Sequence, residues 1–291
     1  MKTAFWRRVL FSAATTLLLL LLVEGMLTLW GFPSTGIYRG NLHTDWRLKA
    51  DLDTSVRHVQ LDTRFGVQTS SDGFRDEEIP DSGPWVAALG CSTTFGWGVE
   101  SEQAWPEVLE SLIGVEVLNA GVPGHSTHQG VEVALELLEK GPDLLILGWL
   151  VRDAQRSTRP DKAARAPTGL RATRLFRAIA GAKKGGATVP TGPYRVSPAD
   201  YVGNLQVVVD AAEARGVKVL VLAFPMQTPA TAHLDVLHDL DVPKIHPTLT
   251  GASFFAEDPI HLNVEGNRLL AQALQSQVNG LLGRASNAEV D

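Results

Sequence analysis

One serine in the chain stands where its hydroxyl could act as a nucleophile. A short apolar run from Trp85 to Leu89 ends in Gly90, and Ser92 follows two residues later. A serine just past a strand end lies in a loop where a hydroxyl is exposed and backbone N–H groups converge. Because a serine is a poor nucleophile until a base takes its proton, such a site also requires a histidine.

Asp258 and His261 provide a matching carboxylate and base farther along the chain. Their three-residue spacing allows the carboxylate to reach the far nitrogen of the imidazole, where it would fix the tautomer and stabilise the imidazolium. A serine in a turn is more often structural, and an aspartate near a histidine is commonly a surface pair or a helix cap. The chain order of Ser92, Asp258 and His261, and their placement after successive predicted strands, make them a candidate triad.

Attack by a serine on a carbonyl creates an oxyanion that nearby donors must stabilise. The Ser92 N–H is one candidate donor. The loop from 119 to 124 follows the second predicted strand and offers the Gly121 N–H as another. The sequence has no complete G-x-S-x-G elbow, dinucleotide-binding loop or H-E-x-x-H zinc motif, and it predicts neither a metal nor a cofactor.

Strands and helices alternate through the part of the chain that carries these residues. This alternation predicts right-handed βαβ crossovers and a mainly parallel sheet covered on both faces. In such sheets the chemistry gathers at the carboxyl ends of the strands. The predicted strands are Trp85 to Leu89, Val115 to Leu118, Leu144 to Leu150 and Val217 to Ala223, and the predicted helices are Ala104 to Leu112, Val131 to Leu138, Tyr201 to Arg215 and Val264 to Leu282.

The motifs on these elements resemble those of the SGNH/GDSL hydrolases, over about two thirds of the chain. The resemblance implies a flavodoxin-like three-layer α/β/α sandwich and a serine esterase that needs no metal or cofactor. It also implies Ser92 as nucleophile, His261 as base, Asp258 as its orienting carboxylate and Gly121 as an oxyanion donor. The matching blocks are Gly90-Cys91-Ser92 with Thr94-Phe95-Gly96, Asn119-Ala120-Gly121 with Pro123-Gly124, and Asp258-x-x-His261, and the stretch from Ser71 to Asp76 is similar to a segment that precedes this domain in many anchored bacterial members.

The chain departs from the family pattern at two positions. Cys91 stands where the family usually has an aspartate, and we interpret it as a small packed side chain rather than a second nucleophile. Arg152 replaces the asparagine of the third block, whose side chain donates to the oxyanion. A guanidinium can also donate but is longer, and losing one oxyanion donor costs about two to three orders of magnitude in rate. Because its guanidinium can donate a hydrogen bond, Arg152 is a candidate third oxyanion donor beside Ser92 and Gly121.

The first thirty residues predict a membrane-spanning helix. Lys2, Arg7 and Arg8 precede an apolar stretch from 9 to 32, interrupted by Glu24. As a helix this stretch measures about 36 Å, enough for a bilayer core of about 30 Å. The basic residues predict a cytoplasmic start and an outward-facing remainder, with Glu24 toward the outer interface. We favour a retained anchor because no A-x-A-like cleavage site is present, although a cleaved signal stays open.

Composition and charge limit the remaining possibilities. The formal net charge of -6 argues against a general nucleic-acid binder, and the single cysteine excludes an internal disulfide framework and any cage of several cysteines. Residues 152–184 carry a net charge of +8, which favours either contact with anionic lipid or an acidic polymer, or a solvated insertion. We expect a basic N-terminus (1–8), an anchor (9–32), a spacer with short strands (33–84), a hydrolase-like domain (85–283) with this insertion, and a tail (284–291).

Together these features predict a membrane-anchored serine esterase that cleaves carboxylic esters of a lipid or an acylated envelope glycan. Two alternatives stay open. One is O-acyl transfer to a carbohydrate hydroxyl. The other is a non-catalytic protein of the same fold that binds a glycan or a lipid, if the change at Arg152 has abolished the oxyanion site.

Overall fold

The computed structural model of the chain describes residues 2–30, 36–41, 44–76, 78–80, 82–163, 173–181, 191–227 and 230–284. The chain divides into two compact units, one formed by residues 1–38 and 165–189 and the other by residues 39–164 and 190–291. In chain order the elements are α1 (Lys2–Leu29), β1 (Tyr38–Asn41), β2 (Asp45–Leu48), β3 (Asp53–His58), β4 (Thr63–Gln68), β5 (Trp85–Gly90), α2 (Ser92–Phe95), α3 (Trp105–Ile113), β6 (Glu116–Gly121), α4 (Thr127–Leu138), β7 (Leu144–Gly148), α5 (Leu150–Asp153), α6 (Arg174–Gly181), α7 (Pro198–Glu213), β8 (Lys218–Leu222), α8 (Thr231–Val236), β9 (Lys244–Ile245) and α9 (Val264–Leu281).

The larger unit is built on a five-stranded sheet in the order β6-β5-β7-β8-β9, with every neighbouring pair parallel. Strands β5 and β7 are buried along their whole length, as expected for apolar runs covered on both faces. Helix α3 packs against α9, and α4 packs against α7, so two helix pairs flank the sheet. The predicted α/β fold with a mainly parallel sheet is confirmed.

Three glycines mark the carboxyl ends of strands β5, β6 and β7. Gly90 of β5 is in register with Gly121 of β6 and Gly148 of β7. A Cβ on Gly90 would lie 2.8 Å from the Gly148 carbonyl oxygen, and one on Gly121 would lie 2.3 Å from the Phe95 nitrogen. Because only glycine leaves this space free, helix α2 can sit directly on the strand ends.

An antiparallel hairpin of β3 and β4 precedes the sheet in the same unit. Val56 pairs with Phe65 and His58 with Thr63, within the stretch predicted as a spacer with short strands. The turn that contains Gly73 follows, with φ +84° at that residue. Residues 39–84, predicted as a spacer, thus lie in the unit that contains the sheet and supply side chains to the site described below.

The smaller unit contains the apolar N-terminal helix. Residues Ala4–Leu29 of α1 are long and apolar enough to cross a membrane, and none of this span is buried. Helix α6 contacts α1, where the Glu24 carboxylate accepts the Arg174 and Leu175 N–H groups at 2.7 and 3.0 Å. Much of the predicted basic insertion, residues 164–172 and 182–184, lies outside the described residues, as does the side chain of Arg177.

Candidate active site

Ser92 is the first residue of α2, and only Cys91 separates it from the end of β5. The first N–H groups of a helix have no carbonyl partner within it, so this turn presents donors around the serine hydroxyl. Cys91, at the N-cap position, is extended (φ -101°, ψ -150°) and fully buried, with its Sγ 3.2 Å from the Thr93 hydroxyl. Gly96 ends the helix in the left-handed conformation, at φ +79°.

The structure brings Ser92, His261 and Asp258 into one hydrogen-bonded chain. His261 Nε2 lies 2.8 Å from Ser92 Oγ, and His261 Nδ1 lies 2.6 Å from Asp258 Oδ2. In a neutral imidazole this geometry has Nδ1–H donating to the carboxylate and Nε2 accepting the serine proton. Asp258 is 3% exposed, Ser92 is 8% exposed and the His261 side chain is 14% exposed, so water reaches the three residues at Ser92 and His261 rather than at Asp258.

The environment of Asp258 favours its ionised form. Burial raises the pKa of this carboxyl group. Several interactions together lower the pKa by more than burial raises it: the hydrogen bond and charge of His261, the Ile260 N–H and the charge of His58. The pKa of Asp258 therefore lies below its usual range. An ionised carboxylate here can hold the ring of His261 and stabilise its protonated form.

The three candidate oxyanion donors lie on three different elements. Ser92 begins α2, Gly121 ends β6 and Arg152 lies in α5. The Gly121 N–H donates to Asn119 Oδ1 at 3.2 Å, a long bond. The half-buried Arg152 guanidinium donates to Gln155 Oε1 at 2.6 Å.

Two residues that the sequence reasoning did not assign to the site lie within it. His58, at the end of β3, is fully buried and its Nε2 is 3.1 Å from Asp258 Oδ2. Arg75 lies in the segment from Ser71 to Asp76 and is also fully buried. The resemblance of that segment to a family segment draws attention to residues 71–76 but assigns no role to Arg75. No local pattern in the sequence distinguishes His58.

The Arg75 guanidinium ties the loop after the nucleophile to the hairpin. It donates to the carbonyls of Phe95 at 2.6 Å and Gly96 at 2.8 Å, and to those of Gly66 at 2.8 Å and Val99 at 2.7 Å. Burial lowers the pKa of Arg75 to about 10, so it stays protonated at neutral pH. Five donors in a rigid fork suit a buried cation that must satisfy several carbonyls.

Asp76, the next residue, supports the second strand end. Its Oδ2 accepts the Asn119 N–H at 2.6 Å. Residues 75 and 76 thus hold both the loop of the candidate nucleophile and the strand that ends in the candidate oxyanion glycine.

A small apolar cavity lies beside the segment that joins Asp258 to His261. Its volume is about 180 Å³, and Pro259 and Ile260, which lie between Asp258 and His261 in sequence, form part of its wall. A larger cavity of about 760 Å³ lies at the opposite, amino-terminal end of the strands and is remote from Ser92. The small cavity is lined by Val151, Met226, Gln227, Pro259 and Ile260.

Three side chains at the site lie close enough together to be considered as ligands of a metal ion. His58, Asp258 and His261 each offer one ligand atom, and these atoms lie within 4.8 Å of one another. The His261 Nδ1 to Asp258 Oδ2 distance is 2.6 Å, whereas two ligands at about 2.0–2.1 Å from a tetrahedral zinc ion stand roughly 3.3 Å apart. This separation fits a shared proton better than a shared metal ion.

One family model matches the chain over more than half of its length. The profile described as GDSL-like Lipase/Acylhydrolase family matches residues 88–269. A search of curated proteins finds no significant match. Among solved structures, TesA is 18% identical (68% of this chain, 99% of that chain, TM-score 0.49). A carbohydrate acetylesterase family member from Sinorhizobium meliloti is 16% identical (69% and 100%, 0.46). A catalytic mutant of Axe2, an acetylxylan esterase from Geobacillus stearothermophilus, is 14% identical (73% and 100%, 0.44).

Proposed function

The chain belongs to the GDSL-like lipase/acylhydrolase family, and from that premise we propose that it is a membrane-anchored serine esterase. Its substrate is a carboxylic ester of a lipid or of an acylated envelope glycan. The observation that carries this proposal is the hydrogen-bonded chain from Ser92 through His261 to Asp258. The three residues are far apart in sequence, and the ends of the strands together with helix α2 hold them next to one another.

The reaction proceeds in two halves. His261 Nε2 takes the proton of Ser92 as Oγ attacks the ester carbonyl, and Asp258 stabilises the imidazolium that forms. The tetrahedral intermediate collapses, and His261 returns the proton to the departing alcohol. Water, deprotonated by the same ring nitrogen, then attacks the acyl-enzyme and releases the carboxylic acid, which restores the Ser92 hydroxyl.

Donors at the strand ends stabilise the negative charge of each tetrahedral intermediate. The Ser92 N–H and the Gly121 N–H are the backbone donors, and the Arg152 guanidinium supplies the third donor. The long bond between Gly121 and Asn119 supports this role for Gly121, because a weak partner is readily exchanged for an oxyanion. Fixed donors in a site with little water are worth more than the same groups in solvent.

The proposal places the esterase on the outer face of a membrane. The apolar helix Ala4–Leu29 supports an anchor, and the basic residues before it support a cytoplasmic N-terminus. The cavity of about 180 Å³ beside Ile260 supports a short acyl chain, since its volume equals that of roughly six water molecules.

Fluorophosphonate labelling tests the proposal, because such a probe traps only an activated serine. The full chain in detergent is labelled, digested and mapped by mass spectrometry, with Ser92→Ala and His261→Gln as controls, and hydrolysis of p-nitrophenyl acetate is followed in parallel. We expect an adduct on Ser92 that both substitutions abolish, together with hydrolysis. An adduct without hydrolysis, but with acyl transfer to an added sugar, would indicate the transferase, and no adduct on folded protein would indicate a non-catalytic binding protein.

A further inference from the structure

His58 contacts the candidate triad although it belongs to the hairpin that precedes the sheet. Its ring is 0% exposed and lies beside the rings of Trp97 and Phe255, with centroid distances of 6.4 and 5.7 Å. It also faces Gly98, which has φ +100° and whose Cβ, if present, would lie 2.9 Å from His58 Cδ2. The surrounding chain therefore leaves a close-fitting space for an imidazole at this position.

Two contacts fix where the His58 proton resides. The Leu61 N–H donates to His58 Nδ1 at 3.3 Å, so in the neutral ring the proton is on Nε2. Nε2 lies 3.1 Å from Asp258 Oδ2. Burial lowers the pKa of His58 against the opposing charge of Asp258, which keeps the ring neutral near pH 7.

The same carboxylate oxygen serves both histidines. Asp258 Oδ2 accepts the His261 Nδ1–H at 2.6 Å, while Oδ1 accepts the Ile260 N–H at 3.2 Å. The His58 N–H lies too far off the line to Oδ2 to make an aligned hydrogen bond, and its contact here is a close electrostatic approach. Such bonds at catalytic sites often tighten only when substrate or a transition state is bound.

We propose that His58 is a positioning residue of the Ser92 site, one that presents an N–H to the Asp258 oxygen that holds His261. This inference rests on the proposed esterase function. The contact fixes the rotation of the carboxylate and takes up part of its negative charge, so that His261 gives up its proton readily between the two halves of the reaction. Asp258 and His261 are the titratable groups that act on His58.

Loss of the His58 donor should shift the pH profile of the reaction in one direction. Without it, the full charge of Asp258 acts on His261 and holds the imidazolium to higher pH. The acid limb of the kcat/KM profile, which reports the free base, then moves to higher pH by about half a unit or more. The poorly held carboxylate also lowers kcat by about tenfold to a hundredfold, while KM changes little.

The test compares His58→Leu, which removes the donor, with His58→Gln, whose amide N–H can reach about as far as Nε2. The full chain in detergent is assayed for kcat and KM across pH, and the His261 ring is titrated by NMR with labelled histidine. We expect the leucine variant to show both changes and the glutamine variant to recover most of each. If the leucine variant does not fold, His58→Asn, whose shorter amide cannot reach Asp258, takes its place.

His233→Leu is the matched control, because His233 is equally buried and its Nε2 bonds to the Val196 carbonyl, away from the triad. It should lower the melting temperature without moving the His261 titration. An unmoved His261 titration in His58→Leu, or equal losses of kcat in the leucine and glutamine variants, would overturn the proposal. If wild-type protein neither labels nor hydrolyses esters, the proposed function fails, and the NMR titration still decides whether His58 acts on His261.

Discussion

Replacing Arg75 by methionine should lower the free energy of unfolding by about 3–5 kcal/mol. The guanidinium donates to four carbonyl groups, and each buried acceptor left without a donor costs about 1–3 kcal/mol. The carbonyls of Phe95 and Gly96 keep a weaker second donor, the Asn119 amide at 3.5 Å and the Val99 N–H at 3.3 Å. The sum overstates the loss, because removing a buried cation also removes a desolvation cost of several kcal/mol. Methionine has a side chain of similar length, so the variant loses the hydrogen-bond donors without leaving a large cavity.

Thermal melting and urea unfolding of the full chain in detergent measure this loss. For a unit of this size, the predicted change corresponds to a fall in Tm of about 6–20 °C. The rate of fluorophosphonate labelling of Ser92 should also fall, because two of the four carbonyls, those of Phe95 and Gly96, belong to the helix that carries the serine and to its cap. Arg75→Lys should be intermediate, since an ammonium group offers three donors from a single point.

Arg215→Met provides the comparison for a surface arginine. Arg215 forms an exposed ion pair with Glu139, and such pairs contribute little to stability. The Arg75→Met protein could instead have a melting temperature as close to that of wild type as Arg215→Met has, and label at the wild-type rate. That result would show that the four hydrogen bonds of Arg75 do not stabilise the fold or the nucleophile loop, and it would refute the prediction.

Two further predictions concern the site and the pH dependence of folding. Arg152→Ala should lower kcat about a hundredfold with little change in KM, because an oxyanion donor acts only in the transition state; steady-state kinetics check this, and an unchanged kcat would remove Arg152 from the oxyanion site. Burial, followed by the charges of Asp76 and other carboxylates, raises the pKa of Glu107 to about 8, so its stabilising contribution is complete below about pH 4.5 and is lost as the pH rises through about 8. Glu107→Gln should therefore lose less stability than wild type between pH 6 and pH 9 in urea unfolding, and parallel losses would contradict the prediction.

The sequence predicts the sheet well because its strands are continuous apolar runs. Strands β5 to β8 lie where those runs stand, and Gly90 ends β5 as predicted. Strand β6 extends to Gly121, three residues beyond its predicted end at Leu118, because Asn119, Ala120 and Gly121 continue the pairing with β5. Strand β9 has only two residues, too few for a periodic signal, and its place at the sheet edge depends on pairing with β8. Strand β7 ends at Gly148 rather than at the predicted Leu150, because Leu150 is the first residue of α5.

The candidate site is only partly predictable from the sequence. The residue types and chain order of Ser92, Asp258 and His261 predict a triad, and the structure brings the three together. His58 could not be found in that way, because its contact with Asp258 arises only when the hairpin packs against the loop before α9. Arg75 acts through backbone carbonyls, which carry no residue identity and so leave no pattern in the sequence.

The long separation between the candidate nucleophile and its candidate base has a consequence for when the site forms during synthesis. His261 follows Ser92 by 169 residues, which at ribosomal rates of 5–20 residues per second corresponds to a lag of about 10–30 seconds. During that interval the serine exists without a group to take its proton, and closing so long a loop is among the slower events of folding. The candidate triad is therefore incomplete in the emerging chain, and it forms only after the segment that carries His261 has folded against the rest of the larger unit.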